Sequence, residues 1–184
     1  MKYKMAKTRL INSLKETELN FKIGMAGLTV LNCNDIKTIL TNEMMKVGVN
    51  QYNFDEIIKI FSDRRTAEIA SNCYYAMLMR TAITEAYDMI KTYCDTQNLS
   101  SNFTNQPFHE ICKLIRNTLS HSMVIEIKPN SSYKFPITWK EIYIVDHKQV
   151  SNKTLEQIGI TPLHIFELLD EMSEFVKSKS MSIV

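Results

Sequence analysis

Residues 64–95 contain neither glycine nor proline, and their apolar side chains occupy more than one face: Ile69, Cys73, Tyr74, Met77, Leu78, Ile83, Tyr87 and Ile90. Without a breaker, so long a stretch reads as one continuous helix. A helix that is apolar over a wide arc belongs in the middle of a packed structure. The chain is therefore expected to be mostly helical, with Arg80, Glu85 and Asp88 as the polar interruptions of its central element.

The remaining segments fit around that helix. Residues 4–31 read as helical, with Met5, Leu10, Leu14, Phe21 and Met25 at roughly helical spacing. The polar run Asn32-Cys33-Asn34-Asp35 breaks them. Asp35 is positioned to cap a helix over 36–46, ended by Gly48. A short helix is expected over 54–62 and a polar loop over 95–106. The next helix starts near Pro107 and runs to Met123. Residues 124–145 combine the turn Pro129-Asn130-Ser131-Ser132 with β-prone runs at 133–138 and 141–145, a small hairpin or extended flap. Thr161-Pro162 opens a closing helix over 161–179, with Leu163, Phe166, Leu169, Met172 and Val176 as its stripe.

With 184 residues the chain suits one domain with a real core, residues 1–60 supplying N-terminal helices and 64–123 the core helices. Its 45% apolar and 23% charged residues exclude wholesale disorder. A net charge of +2 is too mild for a dedicated nucleic-acid binder, though it leaves room for a local basic patch. Cys33, Cys73, Cys94 and Cys112 form no Cys-x-x-Cys pair and read as free thiols of a reducing compartment. No apolar run follows Lys2, Lys4 and Lys7, and the stretch 23–31 holds two glycines and is too short to span a bilayer. A cytoplasmic protein without membrane contact is expected.

The 107–123 segment carries the chemistry. At 100° per residue, Phe108, Ile111, Cys112, Ile115 and Leu119 share one arc, the core face. Asn117 and His121, four apart, fall together on the opposite side. Arg116 lies at the flank, and its long side chain reaches the same side. Histidine moves protons near neutral pH, so it suits a ribose 2′-OH or a leaving 5′-oxygen. Arginine holds a phosphate and offsets its developing charge, and asparagine orients either partner. No metal or other cofactor is needed. One such helix supplies one histidine; two copies about a two-fold axis would supply a base and an acid.

Arg116-Asn117-Thr118-Leu119-Ser120-His121 matches the Arg-x4–6-His motif of HEPN domains, and asparagine directly after the arginine is common there. A long helix, a polar loop, the motif helix and a closing helix follow the same order. The chain thus resembles the HEPN family over residues 60–180. The resemblance implies an all-α up-and-down bundle that dimerises through its motif helices. It also implies a metal-independent endoribonuclease of toxin–antitoxin or antiviral defence systems that leaves 2′,3′-cyclic phosphate ends. Arg116 and His121 would be catalytic and Asn117 supporting, with RNA as substrate and an antitoxin or nucleotidyltransferase as a further partner. Some toxin members carry a tyrosine two residues after the histidine, which such a nucleotidyltransferase modifies; Met123 stands here instead. The plainer readings are a non-catalytic HEPN-like module that binds nucleotide, RNA or protein, and an exposed polar helix face in which the motif is accidental.

Other polar residues have simpler explanations. His109 and Cys112 have ligand spacing but no second pair, so Cys112 reads as core. Arg80, Glu85 and Asp88 read as salt-bridging residues of the bundle surface, the alternative being that Arg80 or Glu85 lines the site beside the motif. His147 and His164 read as surface or cap residues, and Arg64-Arg65 as a solvated helix start. Trp139, Tyr133, Phe135 and Tyr143 fit packing of the flap onto the bundle better than base stacking. Glu141 and Asp146 have no spaced partner. Glycine-rich phosphate loops, Gly-x-Ser-x-Gly and His-Glu-x-x-His are absent, which removes kinase, hydrolase and metalloprotease readings.

Overall fold

The computed structural model describes residues 7–33, 35–121, 123–128 and 131–178. The protein is mostly helical, with two small antiparallel hairpins among the described residues. The elements are α1 (Lys7–Leu31), α2 (Ile36–Leu40), β1 (Met44–Val47), β2 (Asn50–Asn53), α3 (Asp55–Ser62), α4 (Arg64–Thr96), α5 (Ser100–Thr104), α6 (His109–Ser120), β3 (Ile137–Trp139), β4 (Ile142–Ile144), α7 (His147–Val150), a 3₁₀ turn (Glu156–Ile158) and α8 (Pro162–Ser178). Contacts divide the chain into two compact units, residues 21–78 and the remainder.

The larger unit holds nearly all of the core. The C-terminal part of α4 buries Met79, Ile83, Ala86, Tyr87, Ile90 and Cys94, a 3–4 spacing that defines one helical stripe. α6 buries Ile111, Cys112, Leu114, Ile115 and Leu119, and α8 buries Ile165, Leu168, Leu169, Met172 and Val176. Each fully buried aliphatic side chain stabilises the fold by about 1.5–3 kcal/mol. In the β3–β4 hairpin Ile137, Trp139, Ile142 and Ile144 point inward while Thr138 and Tyr143 point out, the period-2 alternation of a half-buried sheet. Three polar contacts tie that hairpin to α8. Trp139 Nε1 donates to Glu171 at 2.9 Å, Lys140 pairs with Glu167 at 2.9 Å, and His164 Nε2 meets Glu141 at 2.8 Å. Because the Thr161 N–H donates to His164 Nδ1, the ring proton lies on Nε2 and faces the carboxylate. Of the surface or cap roles expected for His164, the surface one fails and the cap one fits: it is buried, accepts the Thr161 N–H at the start of α8 and couples the hairpin to that helix.

The smaller unit is built differently. Asp63 caps α4, accepting from Thr66 N at 2.8 Å and Thr66 Oγ1 at 2.6 Å, which explains the start at Arg64. Those bonds hold the Asp63 carboxyl below its ordinary pKa. Gly24 on α1 faces the end of the Leu78 side chain on α4, and a Cβ there would force that leucine to shift. Phe21 and Leu28 are buried, whereas every residue of β1 and β2 is exposed.

The structure corrects several expectations. The 36–46 helix stops at Leu40, and Met44–Val47 is a strand paired to Asn50–Asn53 around Gly48, which has φ +61°. The 95–106 loop contains α5, whose Phe103 is buried against Phe108 and Phe175 at 6.2 and 5.8 Å. The central helix is buried only from Met79 onward; Ile69, Cys73 and Met77 are exposed. Leu163 is exposed too, and the stripe of α8 runs through Ile165 and Leu168 instead. Asp146 caps α7, accepting from the N–H groups of Lys148 and Gln149. Residues 4–6, Pro129, Asn130 and the end of the 161–179 helix lie outside the described residues.

Candidate active site

α6 anchors the motif by burying the face expected for it, and Leu114 and Thr118 widen that face. Arg116 and Asn117 fall on the half-exposed side. The Arg116 guanidinium meets Asp88 of α4 through Nη2, at 3.4 and 3.5 Å from the two carboxylate oxygens. Its Nη1 donates to Asn117 Oδ1 at 3.1 Å. Its Nε is buried with no acceptor among the described residues. The two side chains of the Asp88 pair are 32% and 49% exposed and the distance is long, so it contributes on the order of 0–1 kcal/mol. An incoming phosphate can displace so weak a partner.

The arginine fixes the orientation of its neighbour. A guanidinium only donates, so the carbonyl oxygen of Asn117 must face it. The Asn117 amide nitrogen then faces Tyr133 and donates to the phenol oxygen at 2.8 Å. Burial pushes the Tyr133 hydroxyl above its ordinary pKa, so it remains protonated. Lys113 lies 4.6 Å from the centre of the Tyr133 ring and donates to Ser132 O and Oγ at 2.8 and 2.9 Å. Asp88, Arg116, Asn117 and Tyr133 thus form one chain of contacts across three separate segments.

His121 departs from the expected geometry. The helix ends at Ser120, and His121 is its C-cap, with φ −116° and ψ −97°. The N–H groups of His121 and Met123 both donate to Thr118 O, at 3.4 and 3.1 Å, and Met123 adopts φ +63°. The helical i,i+4 pairing of Asn117 with His121 therefore does not form, because the Asn117 amide is taken by Arg116 and Tyr133. The imidazole is exposed and has no hydrogen-bond partner among the described residues. Asn117 and His121 nonetheless line one cavity of about 420 Å³ between α6 and the 124–133 segment.

Of the two supporting candidates, Arg80 reaches the residue two places past the motif: its Nη2 approaches Met123 Sδ at 3.7 Å. Glu85 lies with Glu16 and Asp88 along a groove between α1 and α4 and has no ion pair among the described residues. The surface salt bridge among these residues is instead Asp88 with Arg116.

His109 and Cys112 serve packing. His109 Nε2 is hydrogen-bonded to the Tyr87 hydroxyl at 3.3 Å and its Nδ1 to Glu110 at 3.2 Å, with Phe103 edge-on at 4.9 Å. Burial is the main cause that lowers the His109 pKa, and it pushes the Tyr87 hydroxyl up to about 12 and the Cys112 thiol well up. Among the described residues no cluster of three or more His, Cys, Asp or Glu could hold a metal ion. Trp139 is buried and Tyr143 exposed, while Arg64 and Arg65 begin α4 in the other unit.

Lys113 carries no signal for the site in the sequence, where Tyr133 reads as flap packing and Asp88 as surface pairing. Tyr133 is 16 residues from Asn117, and Asp88 is 28 from Arg116. No periodicity links positions that far apart; only the path of the chain does. Among the described residues no helix is long and apolar enough to cross a membrane. The chain matches no family model, no curated protein and no solved structure.

Proposed function

We propose that the protein is a metal-independent endoribonuclease of the HEPN type, an up-and-down helical bundle that acts as a homodimer in the cytoplasm, as a toxin or antiviral effector. The supporting observation is a loosely paired arginine on the half-exposed flank of α6, a helix whose C-cap is an exposed histidine and whose other face is buried in the core. In this reading an imidazole takes the proton of the ribose 2′-OH. The 2′-oxygen bonds to phosphorus, the bond from phosphorus to the 5′-oxygen breaks, and the second protomer's imidazole protonates the leaving oxygen. The products are a 2′,3′-cyclic phosphate and a 5′-hydroxyl. Arg116 leaves Asp88 for the phosphate and offsets its negative charge. Asn117 and Tyr133 position Arg116. Arg80 supports the Met123 turn that follows His121, and Glu85 has no part in the step. In a toxin setting the regulating partner is an antitoxin, a nucleotidyltransferase being one form of it.

A second reading has a specific observation behind it. Among the described residues the His121 ring has no orienting partner, and Asp88 pairs with Arg116, which suits a module that binds nucleotide, RNA or a protein without cleaving. Expression in a bacterial host separates the two. The nuclease reading expects growth arrest with fragmented RNA, relieved in His121→Ala and Arg116→Ala proteins that accumulate to the wild-type level. Equal growth of all three strains favours the binding module.

A further inference from the structure

The cavity beside the motif has its own chemistry. Its floor is apolar: Leu114 and Ile125 are 1% exposed and Val124 is half-buried. Its polar groups come from both walls, Asn117 from α6 and Tyr133 from the segment that follows. Tyr133 accepts from the Asn117 amide, which leaves the phenol proton uncommitted among the described residues. That proton can go to an acceptor on a ligand in the cavity. Lys128, exposed on the rim, supplies a positive charge, and Glu126 beside it supplies an acceptor. His121 closes the same rim.

An apolar floor, few placed polar groups and a volume of about 420 Å³ match a small-ligand site at the lower end of the usual size range. The space holds one flat ring with its sugar and cannot admit a base pair. Single-stranded RNA offers such a unit, because its bases can be splayed out and read on their edges.

We propose that this cavity is a nucleotide subsite: it takes one unstacked nucleotide of single-stranded RNA, the base against Val124 with an edge acceptor bound by Tyr133, and the phosphate near Lys128. The identity of the ligand as RNA rests on the nuclease reading; the cavity and its donors do not. The subsite would give the enzyme a preference for the base next to the cut, a property separate from the cutting itself.

The test uses nucleoside 5′-monophosphates, which contain no internucleotide bond, against the full chain. Calorimetric titration should find at least one of the four binding tenfold or more tighter than inorganic phosphate. Amide NMR shifts should concentrate at residues 114–118 and 124–128. Lys128→Ala should weaken the nucleotide at least threefold while leaving the parent nucleoside unchanged. Val124→Trp, which fills the cavity, should abolish binding; if it unfolds, the shift map and Lys128→Ala decide. Inorganic phosphate competing on equal terms would overturn the inference, as would shifts confined to Arg116 or to residues 64–72. A nucleotide that binds as described to a protein unable to cut RNA keeps the subsite and removes the nuclease. RNA cleavage without nucleotide binding or base preference does the reverse.

Discussion

Replacing Asn117 with alanine strikes the junction of the polar chain that holds Arg116. The amide accepts from Arg116 at 3.1 Å and donates to Tyr133 at 2.8 Å. A hydrogen bond to a charged group contributes about 1.5–3 kcal/mol and a neutral one about 0.5–1.5 kcal/mol. The Arg116 side chain is 32% exposed, so solvent moves the charged bond to the low end of its range. The two together give a loss of about 2 kcal/mol. In a protein of this size each kcal/mol shifts the melting temperature by roughly 2–4 °C, so Asn117→Ala should melt about 4–8 °C lower. Far-UV circular dichroism measures this directly. A cycle with Tyr133→Phe and the double variant isolates the amide–phenol bond, with an expected coupling of about 0.5–1.5 kcal/mol. The fall in cleavage should exceed the fall in stability, because Arg116 loses the group that steadies it. A shift below ~1 °C, or strictly additive single effects, would refute the claim that Asn117 joins the two partners.

Three further outcomes follow from the packing and the charges. Ile115 is fully buried on the motif helix, and Ile115→Ala should cost about 2–5 kcal/mol in urea unfolding; a loss under ~1 kcal/mol would deny α6 its place in the core. Burial lowers the His109 pKa below 6.5, so below that pH the unfolded chain takes up a proton that the folded chain resists. Stability should therefore fall as the pH drops from about 7.5 to about 5.5, and His109→Gln should flatten the fall; an unchanged slope would contradict it. The β1–β2 hairpin buries none of its residues, and an isolated two-stranded hairpin is marginal in water. Its amides should exchange with deuterium far faster than those of α6, and equal protection would contradict that account.

Much of the architecture could be read from periodicity. The stretch without glycine or proline forms α4 over Arg64–Thr96, and the arc of Phe108, Ile111, Cys112, Ile115 and Leu119 is buried as expected. Errors cluster where local pattern and tertiary context diverge. Met44–Val47 continues a helical-looking run, yet Gly48 at φ +61° turns it into a hairpin. Phe103 lies in a polar sequence and still forms a short helix, because its ring packs between Phe108 and Phe175. His164 looks like a surface or cap residue on its own, and its burial comes from the distant hairpin, where Trp139 packs edge-on against the ring at 5.7 Å and Glu141 meets Nε2. The same holds at the site. Spacing alone makes Arg116, Asn117 and His121 candidates, whereas the contacts of Asp88 with Arg116 and of Tyr133 with Asn117 come from the fold. The end of α6 at Ser120 has no signal in the sequence, since Ser122-Met123 offers neither the glycine nor the proline that ordinarily stops a helix.

The most direct test of the central claim is to incubate purified wild-type and His121→Ala protein with labelled mixed RNA in EDTA and to analyse the ends. The account predicts cleavage by the wild type alone, leaving 2′,3′-cyclic phosphate and 5′-hydroxyl termini. Intact RNA with both proteins, or equal cleavage by both, would contradict it.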